Sequence, residues 1–142
     1  MSLFFKLNQN NNTKNPTACG KWFARAAHTE TIDTGMLAQE MQQNCTLKTS
    51  DIVAVVSELV DCMTRHLQDS KRVYLRGLGT FKLAISSHGV DNPADFVPNR
   101  DIRDLHILFY PETRVFSDGT RIRALISGAR AIELPDGKGR DC

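Results

Sequence analysis

Two glycines one residue apart, Gly77 and Gly79, sit inside VYLRGLGTFKL (residues 73–83), a run that otherwise alternates like a β-strand. Glycines spaced this way can cradle a phosphate, provided the chain then enters a helix whose first N–H groups converge on the anion. Here a strand-like Thr80-Phe81-Lys82-Leu83 follows, and Lys82 stands where a third glycine would complete the dinucleotide pattern. The phosphate-loop reading therefore fails. Glycine also tolerates the positive φ of a tight turn, so the stretch reads as a hairpin, with Gly77, Gly79 and Phe81 as its structural residues.

No other constellation supports catalysis. His28, His66, His88 and His106 are scattered singly, and Cys19, Cys45, Cys62 and Cys142 show no CxxC pairing or repeated spacing. A metal site has little support, and free thiols in a reducing cytoplasm are the expectation. No nucleophile–base pair or paired-carboxylate motif is present, and a lone His66 on a helix is more often core or surface than catalytic. The sequence predicts a protein that is not an enzyme, with no cofactor, no metal and no small-molecule substrate.

Charge gives a stronger lead through its distribution than through its total of +2. Residues 1–31 carry Lys6, Lys14, Lys21 and Arg25 against Glu30, whereas residues 32–70 carry six acids against Lys48 and Arg65. Residues 71–82 hold Lys71, Arg72, Arg76 and Lys82 with no acid, and from Arg114 to Arg140 six bases meet three acids. An acidic segment flanked by basic ones can give the folded chain one basic face; ordinary solvated charge is the competing reading.

The elements that must position these residues follow from periodicity. Leu3–Leu7 reads as a short strand, and Lys21–Ala26, beyond the asparagine-rich NQNNNTKNP loop, as a second strand, with helix open for so short an apolar run. Thr34 or Asp33 caps a helix to about Gln43, and Thr49-Ser50-Asp51 opens a second. Ile52, Val56, Leu59, Met63 and Leu67 recur at helical spacing on that second helix, widened by Val53, Val55 and Val60. Such a stripe is broader than its short partner helix can cover. Strands follow on both sides of the glycines; then a polar excursion (residues 86–104) leads to the strand Leu105–Tyr110, ended by Pro111. Ser117-Asp118-Gly119-Thr120 reads as the cap of a short helix to Ser127, and Pro135 onward as a frayed tail. No apolar run is long enough to span a bilayer, and the N-terminus has no signal-peptide cleavage pattern, so no membrane partner is expected.

Three stretches over about residues 34–127 carry a resemblance to the HU/IHF family of bacterial histone-like DNA-bending proteins. TLKTSDIVAVVSELV is similar to the start of that family's second helix, and VYLRGLGTFKL to its V-x-L-x-G-F-G-x-F signature, with Leu78 in place of Phe. DNPADF lies where the family's DNA-gripping β-arm bears its Asn-Pro tip, and FYPET where the arm returns. The N-terminal thirty residues and the ISSHGV…FYP wording bring the chain nearest to the divergent HU-HIG-like branch.

The resemblance implies an α+β fold: two N-terminal helices packed on an antiparallel β-sheet, a long excursion or arm, a short C-terminal helix, and an intertwined homodimer. It divides the chain into a strand-rich extension (1–32), an HU/IHF-like domain (33–128) and a flexible C-terminal tail (129–142). It further implies largely sequence-independent binding, and bending, of double-stranded DNA in the nucleoid of the cytoplasm. Phosphate contacts would fall to Lys82, Arg100, Arg103, Arg121 and Arg123, and Pro93 would wedge between base steps. Two readings of the excursion stay open. Asn92-Pro93 tips an arm, or Asn92-Pro93-Ala94-Asp95 starts a short helix with Asn as cap and Pro at its first position. Asp91 replaces the family's arginine there, and the three bases Lys82, Arg100 and Arg103 are matched by Asp91, Asp95 and Asp101. A protein-interaction or architectural module with little DNA affinity is the alternative function.

Overall fold

The computed structural model describes residues 1–135. Along the chain run β1 (Ser2–Gln9), β2 (Trp22–Ala27), α1 (Thr34–Gln42), α2 (Thr49–Gln68), β3 (Val73–Leu75) and β4 (Gly79–Ser87). A 3-10 turn (Pro93–Asp95), α3 (Pro98–Asp101), β5 (Ile102–Pro111), β6 (Thr113–Val115), β7 (Arg121–Arg123) and β8 (Arg130–Glu133) complete it. They form two compact units: Met1–Leu37 with the chain from Gly128 onward, and Ala38–Ser127.

In the first unit β1 pairs antiparallel with β2 and parallel with β8. The chain after Gly128 thus begins with a strand, where a flexible tail was expected. Arg130 N–H donates to the Met1 carbonyl and Leu134 N–H to that of Phe5, which ties the segment to β1. The expectation of a frayed end from Pro135 onward lies, beyond Pro135 itself, outside the described residues.

The second unit holds α1 from Ala38 onward, α2 and the glycine turn. Asp33, the alternative to Thr34, caps α1 by accepting the Met36 N–H at 2.8 Å. The cap position of α2 is Lys48, one residue before the expected hydroxyls. Its free Thr49 N–H is satisfied from α1 by the Gln42 side chain at 3.0 Å, and Asp51 reaches back to the Lys48 N–H. One side chain thus joins the two helices.

β3, β4 and β5 form an antiparallel sheet in that order. Register sets Val73 beside Phe81 and Phe109, then Leu83 beside Ile107 and Ile85 beside Leu105, all on one face. Leu67 of α2 lines a groove with Leu83, Ile85 and Leu105, so this is the face that α2 covers. Covering is partial. Ile85, Leu105 and Ile107 remain 60%, 61% and 61% exposed, and the only buried apolar residues among those described are Ala38, Ile52 and Leu67.

The glycine turn has a specific steric basis. Gly77 and Gly79 take φ of +83° and +146°, where side chains are disfavoured. A Cβ on Gly79 would also clash with the Tyr110 carbonyl and stand 2.9 Å from both Phe109 Cε2 and Pro111 Cα. At Gly77 it would meet nothing. Glu112 closes the turn from below: it accepts the Tyr74 hydroxyl at 2.8 Å and the Gly77 N–H. These bonds hold its carboxyl below the usual range, the Tyr74 bond foremost, with Arg114 and Arg76 assisting, and they raise the Tyr74 phenol.

The excursion is compact. After a register shift at Ser86/Ser87, Asn92 accepts the Ala94 N–H at 3.1 Å and Pro93 opens the 3-10 turn. Asp101 is the centre of the loop. Only 4% exposed, it accepts the Val97 N–H at 2.7 Å and a two-pronged contact from Arg100 Nε and Nη2, each at 2.8 Å. Arg100 Nη2 reaches the Asp95 carbonyl as well, and His88 N–H donates to the Asp101 carbonyl. A buried carboxylate requires such partners, and they lower its pKa, Arg100 first and the Val97 N–H second. Of the two readings of Asn92-Pro93, the helix-starting conformation is the one adopted.

The expected short C-terminal helix is absent; residues 120–127 give β7, paired with β6, followed by turns. The reason is the chemistry of Asp118-Gly119. Asp118 accepts the Thr120 N–H at 2.9 Å, and Gly119 takes φ +83°, so the segment closes a hairpin instead of capping a helix. Leu125, at φ +70°, then stops any helix from propagating.

Two outcomes follow. Gly79→Ala combines left-handed strain with a backbone clash and lowers stability by about 3 kcal/mol, against about 1 kcal/mol for Gly77→Ala, in urea unfolding; equal effects would contradict the geometry. Asp101 and Glu112 both have lowered folded pKa values, so their contribution is complete above the ordinary carboxylate range and is lost as pH falls through their depressed values. Unfolding free energy should therefore decline from about pH 5 downward. Asp101→Asn should lower the neutral plateau and flatten that decline, and an unchanged acid limb in this variant would count against the Asp101 knot.

Candidate nucleic-acid interface

The sheet face opposite α2 is mixed in character and carries Lys82. Tyr74, Thr80 and Tyr110 stand in one row across β3, β4 and β5, and Lys82 pairs with Leu108 in the next row. Lys82 Nζ lies 5.1 Å from the centroid of the Tyr110 ring, a cation–π contact that steadies the ammonium on the sheet. Arg76 in the turn and Arg114 on β6 act electrostatically on Tyr74 and Glu112 at the end of this row.

Beside the turn, the β6–β7 hairpin adds further bases. Arg121 pairs with Val115 and Arg123 with Thr113, so these two arginines share one face and Arg114 occupies the other. Arg114 and Arg123 line a cleft of about 310 Å³ with Phe116, Ile122 and Leu125. The hairpin is fastened to the turn: Ala124 N–H donates to the Glu112 carbonyl and Glu112 N–H to that of Leu78. Arg121 and Arg123, expected on a helix, thus sit on a strand.

The structure separates the six candidate contacts. Lys82, Arg121 and Arg123 are presented by the sheet and its hairpin, and Arg103 is exposed near the start of β5. Arg100 is instead bonded to Asp101 and Asp95 within the excursion. Pro93 opens its 3-10 turn. Sequence reasoning passed over Arg76, Arg114 and the two tyrosines as site residues. Alternation in Thr113-Arg114-Val115 after Pro111 was the available signal for Arg114; the tyrosine row depends on cross-strand register, which no local pattern reveals. Among the described residues there is no His, Cys, Asp and Glu group able to hold a metal ion, and no helix is long and apolar enough to cross a membrane.

Comparison with known proteins places this geometry. A crystal structure of a candidate bacterial DNA-binding protein from Bacteroides vulgatus aligns over 94% of this chain with a TM-score of 0.60 at 14% identity. The chain spans about half of that protein's length, 48%. Anabaena HU, in a cocrystal with DNA, aligns over 56% of this chain and 85% of its own, at 15% identity and a TM-score of 0.40. No curated protein matches the sequence. The family model for HU domains fused to a wHTH, Ig or glycine-rich motif matches residues 1–123, and on that extent of match the chain belongs to the HU-HIG family.

Proposed function

We propose that two copies of this chain form a histone-like, non-enzymatic DNA-binding protein that holds double-stranded DNA with little regard to sequence. The observation that carries the reading is the gathering of bases around the glycine turn of an HU-type domain: Lys82 on the outer sheet face, Arg76 in the turn, and Arg114, Arg121 and Arg123 on the two faces of the hairpin. Lysine and arginine on a sheet face neutralise phosphates and follow groove shape; they do not enter a groove deeply enough to read base edges. Arg103 contributes from the start of β5. DNA bound in this way places the protein on the nucleoid, in the cytoplasm.

Homodimer formation rests on the inner face. Ile85, Leu105 and Ile107 are exposed apolar side chains that α2 of the same chain leaves uncovered, and Val55 and Val60 of α2 are themselves exposed. Contiguous apolar surface of this kind marks an interaction site. A second copy supplies another α2 of the same character.

Bending is expected to be modest, because the excursion is folded around Asp101 and Pro93 is built into its 3-10 turn. The same observation favours a second reading, an HU-fold protein-interaction module with little DNA affinity. Arg100 is engaged within the loop, and from Lys82 to Arg103 three bases meet three acids.

Mobility shift on linear, nicked and kinked duplexes at several salt concentrations separates the two. Log affinity should fall linearly with log salt, by roughly 0.9 per phosphate neutralised, and Arg121→Gln or Arg123→Gln should reduce the slope by about 1 while weakening all sequences alike. Pro93→Ala should leave ring-closure efficiency unchanged and cost up to about 1 kcal/mol of stability through a freer unfolded chain. Absence of salt-dependent binding would favour the interaction module. A Pro93→Ala protein of full stability that no longer bends DNA would restore the arm-tip role.

A further inference from the structure

The outer sheet face holds a feature that phosphate neutralisation does not use. Tyr74 and Tyr110 are 57% and 50% exposed, yet neither ring is loose. The Tyr74 hydroxyl donates to Glu112 at 2.8 Å, and the Lys82 ammonium sits over the Tyr110 ring. They are two strand spacings apart, roughly 10 Å, with the small Thr80 between them. Two pre-oriented aromatic rings on one sheet face, separated by a small side chain, offer separate surfaces to two planar groups.

Exposed tyrosines can be no more than amphipathic surface, half apolar and half wet. Three observations here go further. Tyr74 is fixed by a hydrogen bond to the Glu112 carboxylate, which also accepts from the Gly77 N–H of the glycine turn, so its ring position costs less ordering entropy when a ligand arrives. Lys82 is held against one ring and lies where it can meet a phosphate linked to a base stacked there. The Glu112 carboxylate, the acid at this end of the row, is committed to Tyr74 and Gly77 and lies within the influence of Arg76 and Arg114. Aromatic rings with interleaved cations are the chemistry that grips single strands, because every base has a π-face whereas a duplex hides its own.

We propose that the Tyr74–Thr80–Tyr110 row, with Lys82 beside it, is a stacking platform for the unpaired bases of single-stranded nucleic acid. The proposal rests on the nucleic-acid-binding reading above and names the strand form that this face prefers.

The chain contains two tyrosines, so tyrosine ring signals in NMR of the labelled full-length protein report this face alone. Probes are a thymidine oligonucleotide of about 20 nucleotides, its uridine counterpart and a duplex of equal length, a size that covers one or two ordinary single-strand sites. Upfield shifts of both rings with either single strand, and not with the duplex, are expected; shifts with thymidine alone or uridine alone would assign the platform to DNA or to RNA. Tyr110→Ser should weaken single-strand binding about tenfold more than duplex binding, and Tyr110→Phe, which keeps the ring, should restore it. Should Tyr110→Ser not fold, the ring shifts of the parent protein decide. Duplex binding with unmoved tyrosine signals at saturating single strand overturns the platform and leaves the duplex reading standing; no binding to any probe overturns both.

Discussion

An antiparallel sheet has two faces, and in this chain one α-helix is too little to cover the apolar one. That constraint governs the rest of the molecule. The second unit places Val73, Phe81, Leu83, Ile85, Leu105, Ile107 and Phe109 on the face toward α2. Burial of apolar surface contributes roughly 25 cal/mol per Å², and α2 collects it mainly near Leu67 and Ile52. The distal half of the face is left uncovered within the chain. The proposed assembly and the proposed nucleic-acid contact both rest on this one division of side chains.

What enforces the division is the close approach at Gly79. Its φ of +146° lets β4 begin directly against the β5 backbone, where any side chain would strike the Tyr110 carbonyl. A one-residue slip there would exchange the two faces and put Lys82 under α2. Glu112, just after β5, secures the arrangement: its carboxylate holds Tyr74 and Gly77, and its backbone carbonyl accepts from Ala124 of the β6–β7 hairpin segment. The Asp101 knot does the equivalent at the other end of the β4–β5 pair, where it keeps the excursion folded.

The parts legible in the sequence were those fixed by local rules. Alternation and the positive-φ requirement of glycine gave the strands on either side of the turn, and helical spacing gave α2. Asn92-Pro93 announced its own cap. Residues with two local uses misled. Asp118-Gly119 suits a helix cap and a hairpin turn equally well, and pairing of β7 with β6 chose the turn. Arg130–Glu133 has too little periodicity to distinguish a strand from a tail until β1 is there to pair with it. Arg100 counted as a free cation until the fold buried Asp101 beside it. The tyrosine row was invisible for the most basic reason: it is assembled from three strands, and only register brings them together.

Solution mass measures the constraint most directly. Sedimentation or light scattering of the full chain at micromolar concentration should give twice the 15.9 kDa chain mass, with dissociation coupled to unfolding. A stable, folded species of one chain mass under those conditions would contradict the account, because the apolar face would then be content in water.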